Sequence, residues 1–147
     1  MILITDGGST KCDWIVLDSK GQKVGEKIRT KGLNPAILSE KKLTKIIKKS
    51  AELMQIAQEV THIYFYGAGC GTEKPKAMLK HVLQLLFLNA NIEVEEDTMA
   101  AIRASINHEN EAAVVCILGT GSNCSYYDGS QLHQRCLLYT SPSPRDA

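Results

Sequence analysis

The chain starts the same way twice. Residues 2–21 run as strand, glycine-rich polar loop, strand and aspartate-led turn. Residues 114–129 repeat that order, with Gly119-Thr120-Gly121-Ser122-Asn123 as the loop and Asp128-Gly129 as the turn. A solenoid repeats every 20–50 residues or so, and a wider separation points instead to duplicated domains, each opening on an antiparallel hairpin. The second copy stops after that hairpin. Residues 1–110 are therefore expected to form a first domain and residues 111–135 the start of a truncated second one. Residues 136–147 carry two Ser-Pro units and no amphipathic period. They resemble a translated sequencing adaptor and are expected to be a non-native tail.

Hydrophobic periodicity fills in the first copy. Alternation predicts strands over residues 2–5, 13–18 and 23–29, an antiparallel meander turning at Asp18-Ser19-Lys20-Gly21. Over residues 39–59 the period becomes helical. Leu43, Ile46, Ile47, Ala51, Met54 and Ala57 share one stripe, and Lys41, Lys42, Lys45, Lys48 and Lys49 form a solvated opposite face. A strand over 62–66 ends at Gly67-Ala68-Gly69. Thr72 is then placed to cap a helix reaching residue 89, with Met78, Leu79, Val82, Leu83 and Leu86 apolar. A strand over 92–95 hands over at Asp97 to a helix carrying Met99, Ile102 and Ile106. Residues 112–118 are apolar throughout, which predicts a central strand. The order is mixed α/β.

With 17 basic and 16 acidic residues among 147, the net charge is +1, so nothing favours nucleic acid or an anionic membrane as partner. The longest apolar runs, 85–88 and 112–118, are too short to span a bilayer, and no basic leader precedes Asp6. A cytoplasmic protein is expected. Cys12, Cys70, Cys116, Cys124 and Cys136 are odd in number and lack any C-x-x-C pair, so buried reduced thiols are expected rather than disulfides or a zinc site. His62, His81, His108 and His133 have no metal-ligand spacing.

The loop Asp6-Gly7-Gly8-Ser9-Thr10-Lys11 has what a phosphate needs. Gly7 and Gly8 let the main chain come close and adopt positive φ. Successive N–H groups make an anion nest, and Ser9, Thr10 and Lys11 add donors. Asp6 beside phosphates is tolerable if it orders Mg²⁺ through water. A polar hairpin turn would account for one such loop. The second, with Gly119, Thr120, Gly121, Ser122 and Asn123, makes phosphate binding the stronger reading. Asp97, at a strand-to-helix junction, suits a general base for phosphoryl transfer, although aspartate there also caps helices. Asn34, in Lys31-Gly32-Leu33-Asn34-Pro35, suits a sugar hydroxyl or an Asn-Pro turn equally.

Taken together, these residues resemble the N-acetylglucosamine kinase family within the BadF/BadG/BcrA/BcrD ATPase group of the actin–hexokinase–Hsp70-like superfamily. The resemblance covers residues 1–135. It rests on Asp6-Gly7-Gly8-Ser9-Thr10-Lys11 with Trp14 beyond, Gly32-Leu33-Asn34-Pro35, Asp97 before Ala100-Ala101, and Ile117-Leu118-Gly119-Thr120-Gly121-Ser122-Asn123-Cys124. It implies a ribonuclease-H-like (actin-like ATPase) domain with a mixed five-stranded sheet and a meander start, plus the first hairpin of a second like domain. It implies ATP and Mg²⁺ as cofactors, with Gly7, Gly8, Ser9, Thr10, Lys11, Gly119, Thr120 and Gly121 at the phosphates and Asp6 on the metal through water. Asn34, Ser122 and Asn123 would touch an amino sugar, and Asp97 would be the catalytic aspartate. The implied reaction is ATP-dependent phosphorylation of the 6-hydroxyl of N-acetylglucosamine or a related sugar. The adenosine-binding segment of the family has no counterpart here, so this fragment is expected to be inactive alone. Homodimerisation of a longer protein stays open. Two other readings remain. One is an ATPase that activates a partner redox enzyme, for which paired cluster-binding cysteines are wanting. The other is a non-catalytic nucleotide- or sugar-sensing module, for which no helix-turn-helix precedes the first strand.

Overall fold

The computed structural model describes residues 1–108, 110–118 and 122–133. Contacts divide the chain into two units, Met1–Asp97 and a second beginning at Thr98.

The first unit is a five-stranded sheet ordered β3-β2-β1-β4-β5. β1 (Ile2–Gly7), β2 (Lys11–Leu17) and β3 (Ile28–Lys31) are antiparallel neighbours, while β4 (His62–Gly67) and β5 (Asn91–Glu96) run parallel to β1. Strand side chains alternate between faces, so Leu3, Thr5, Cys12, Trp14, Ile63, Phe65, Ile92 and Val94 all point to one buried side. Helices α1 (Glu40–Lys48) and α3 (Glu73–Leu86) contribute Leu43, Ile47, Leu79, Val82 and Leu83 to the same core. Trp14 is its centre. Its ring meets Phe65 edge-on at 6.0 Å and stacks on Phe87 at 6.4 Å, while Nε1 donates to Thr30 Oγ1 at 3.1 Å.

Four local expectations are corrected. The third strand lies at 28–31, not 23–29, because Gly25 takes φ +68° and only a single bridge, Leu17 to Lys23, forms before it. The helix over 39–59 is two, with α2 (Ala51–Ile56) separate. Ser50 is extended and its hydroxyl accepts from Leu53 N at 3.3 Å, a cap that competes with helix continuation. The break shifts the phase, so Leu53 is buried and Ala51 exposed. Thr72 stands at the N-cap of α3 but its side chain makes no capping bond. Among the described residues, the free cysteines Cys12, Cys70 and Cys124 are buried as expected, whereas Cys116 is exposed.

The second unit contains the rest of α4 (Asp97–Ser105) and a separate sheet ordered β6-β7-β8, from β6 (Ala113–Leu118), β7 (Ser122–Tyr127) and β8 (Leu132–His133). β6 is not central among the described residues: β7 is its one neighbour, and Val114 is 66% exposed. The expected echo between the two hairpins does appear. Asp18 Oδ1 accepts from Lys20 N and Gln22 N at 2.8 and 2.9 Å, and Asp128 Oδ1 from Ser130 N and Gln131 N at 2.8 and 2.7 Å. Each turn also uses a left-handed glycine, Gly21 at φ +80° and Gly129 at +98°. The backbone bonds, together with His133, hold the Asp128 carboxyl well below the usual carboxylate range. Among the described residues, no helix is long and apolar enough to cross a membrane.

Two stability predictions follow from the first sheet. The Thr5 hydroxyl is buried with no hydrogen-bond partner among the described residues, so Thr5→Val should raise unfolding free energy by about 1 kcal/mol in urea titrations. Asp13 pairs across strands with Arg29, whose guanidinium lowers the carboxyl from 3.8 to about 2. This stabilisation is complete above the unfolded value and disappears as pH falls towards 2. Melting temperature should therefore drop more steeply from pH 4 to pH 2 in the native chain than in Asp13→Asn.

Candidate active site

The carboxyl ends of β1, β4 and β5 are level, since Gly7 is in register with Gly67 and Gly67 with Glu96. In open α/β sheets that edge is where ligands bind. The first loop, the Gly67-Ala68-Gly69 segment and Asp97 all emerge there.

Asp6 is exposed on the penultimate residue of β1, and Gly7 is buried at its end. Gly8, Ser9 and Thr10 make the turn, and Lys11 opens β2, exposed. Neither Gly7 nor Gly8 takes positive φ, contrary to expectation. Their need for glycine is steric: a Cβ on Gly7 would fall 2.6 Å from Phe65 Cζ, and one on Gly8 2.9 Å from the Lys11 carbonyl oxygen. The nest is also smaller than expected, because Gly8 N donates to Lys11 O at 2.8 Å to close the turn. The N–H groups of Ser9 and Thr10 and the Thr10 hydroxyl make no hydrogen bond among the described residues. They are the donors left for an anion.

Asn34 follows β3 and is 8% exposed. Its Nδ2 donates to Ser9 Oγ at 2.8 Å and its Oδ1 accepts from Ala36 N at 3.0 Å, so the carboxamide braces the first loop. The main chain adds support, with Gly32 N donating to Thr10 O at 3.0 Å and Leu33 N to Gly8 O at 3.2 Å. One carboxamide hydrogen is left for a ligand.

Asp97 is the first residue of α4, exposed, directly after β5. Burial, then the Asp97 charge, pushes the Cys70 thiol up to about 12. Cys12 is pushed up mainly by burial, with smaller contributions from Asp6, Asp13 and Cys70. The field of Asp6 thus reaches the neutral Cys12 thiol, and that of Asp97 the neutral Cys70 thiol.

Sequence reasoning missed three supports. Gly69 takes φ +80° with its Cα against the Asn34 carboxamide. Ala68 N donates to Gly7 O at 2.8 Å, tying the two strand ends together. Gly32 packs so closely on the Ser9 carbonyl that no Cβ fits. The matched Gly-x-Gly at the end of β4 was the available signal. Of the second loop, Gly119, Thr120 and Gly121 lie outside the described residues. Ser122 and Asn123 open β7 by their backbone, and their side chains are not described.

The model of the BadF/BadG/BcrA/BcrD ATPase family matches residues 5–135. The chain belongs to this family. The actin-like ATPase architecture agrees with the mixed five-stranded sheet. A presumed N-acetylglucosamine kinase from Porphyromonas gingivalis superposes with a TM-score of 0.78 at 36% identity, over 91% of this chain. This chain spans 47% of that protein's length. An Aquifex aeolicus PPX-GPPA enzyme is more distant, with a TM-score of 0.47 and 15% identity over 89% of this chain and 49% of its own. No curated protein matches.

Gly32→Ala should destabilise the chain by about 1–3 kcal/mol in urea unfolding, because its methyl would displace the Ser9 carbonyl.

Proposed function

We propose that this family member is an ATP-dependent kinase acting on the 6-hydroxyl of N-acetylglucosamine or a related amino sugar. The observation that carries the reading is the open first loop, with the N–H groups of Ser9 and Thr10 unspent, on the same sheet edge as Asp97. The P. gingivalis relative's name supplies the substrate class.

Gly7, Gly8, Ser9, Thr10 and Lys11 are assigned to the ATP phosphates. The glycines give clearance, the Ser9 and Thr10 donors bind oxygens, and Lys11 adds positive charge. Gly119, Thr120 and Gly121 are assigned further phosphate contacts. Asn34, Ser122 and Asn123 are assigned to the sugar. Asp97 accepts the proton of the attacking hydroxyl as the phosphoryl group transfers in line. Among the described residues, no three acidic, histidine or cysteine side chains cluster to ligate a metal directly. Exposed Asp6 fits a looser role, holding Mg²⁺ through water. When bound, the metal offsets negative charge on the phosphates.

The test uses the gene product at its full genomic length. ATP consumption should require N-acetylglucosamine, and Asp97→Asn should lower the sugar-dependent rate ~10²–10⁴-fold without abolishing nucleotide binding. Equal consumption with and without the sugar would overturn the kinase reading in favour of an ATPase serving a redox partner.

A further inference from the structure

A cavity of about 590 Å³ lies between β3 and the α1–α2 break, within the range of small-molecule sites. Arg29, Lys31, Lys42, Lys45 and Lys49 line it, against a single carboxylate, Glu52. None of these belongs to the candidate active site. Arg29 is already engaged by Asp13 at 2.6 Å, but the four lysines enter no ion pair among the described residues. Such crowding is unusual in a chain whose net charge is only +1.

Helix electrostatics explains part of it. Lys45 and Lys49 lie at the carboxyl end of α1, where cations complement the helix dipole. Lys42 lies in the first turn, where the dipole opposes a cation, and Lys31 is on a strand. Lys42, Lys45 and Lys49 also repel one another at helical spacing. An anion in the cavity would relieve that repulsion. Leu38 and Ile46 supply apolar wall beneath the charges. We propose that this cavity binds a small phosphate-bearing metabolite with at least two negative charges, its body against Leu38 and Ile46 and its phosphate among the four lysines. Concave confinement and a lining without aromatic side chains favour a small molecule over a nucleic acid strand, which stacks its bases on aromatic residues.

The test titrates the 147-residue chain with inorganic pyrophosphate and with phenyl phosphate by calorimetry, checking each variant by circular dichroism. Both probes should bind, phenyl phosphate more tightly per charge. Lys42→Gln/Lys45→Gln/Lys49→Gln should weaken both roughly tenfold or more, whereas Lys41→Gln/Lys48→Gln, on the same helix outside the cavity, should change neither. Equal losses in the two variants would reduce the effect to diffuse helix charge and overturn the proposal. So would pyrophosphate binding that ignores the triple variant but vanishes in Thr10→Val, which would place the anion on the first loop. Absence of heat from either probe at millimolar concentration would also overturn it, as would tighter binding of a short single-stranded oligonucleotide lost in the same triple variant.

Discussion

β1 is paired along its whole length on both sides, antiparallel to β2 and parallel to β4, and the two registers close on the same residue, Gly7. That double pairing leaves the strand end no freedom to shift. The Phe65 ring occupies the space that side chains on Gly7 and Gly67 would need, and Trp14 holds the ring from its edge. A loop growing from such an end is positioned before any ligand arrives, which is what phosphate binding by backbone N–H groups requires. Asn34 and Gly32 then fix it from the far side of β2, through Ser9 and Thr10.

Negative charge at this edge rests on carboxylates, not thiols. Cys12 lies close enough to sense Asp6 and Cys70, and Cys70 close enough to sense Asp97, yet burial keeps both thiols neutral. Negative charge therefore comes from Asp6 and from Asp97 with its neighbour Glu96, at the ends of two different parallel strands. In the proposed reaction the two have different tasks, Asp6 beside the phosphates and Asp97 beside the hydroxyl.

Much of this was legible beforehand because it is local. Alternation in residues 2–17, the apolar stripe of α3 and the aspartate-led turns each depend on neighbours a few residues away, and all were placed to within a few positions. Failures came where a single residue redirected the chain. Gly25 delayed β3, and Ser50 split a helix whose stripe had looked continuous. Apolar composition alone made residues 112–118 seem central, although Val114 faces outward. The lysine run is exposed, as a solvated face should be, and three of its members also border a cavity with two cations from β3.

By itself the sequence determined the order of elements, both hairpins, the placement of Asp97 after a strand and the family to which the chain belongs. Tertiary structure decided how those parts act. It showed that Gly7 and Gly8 are needed for clearance rather than positive φ, and that Gly8 spends its N–H on the turn while Ser9 and Thr10 keep theirs. It also made Asn34 a brace, through a bond spanning 25 residues. Periodicity and turn chemistry are written over short stretches of chain. Close approach, shared hydrogen bonds and the gathering of charge arise only when distant stretches meet in space.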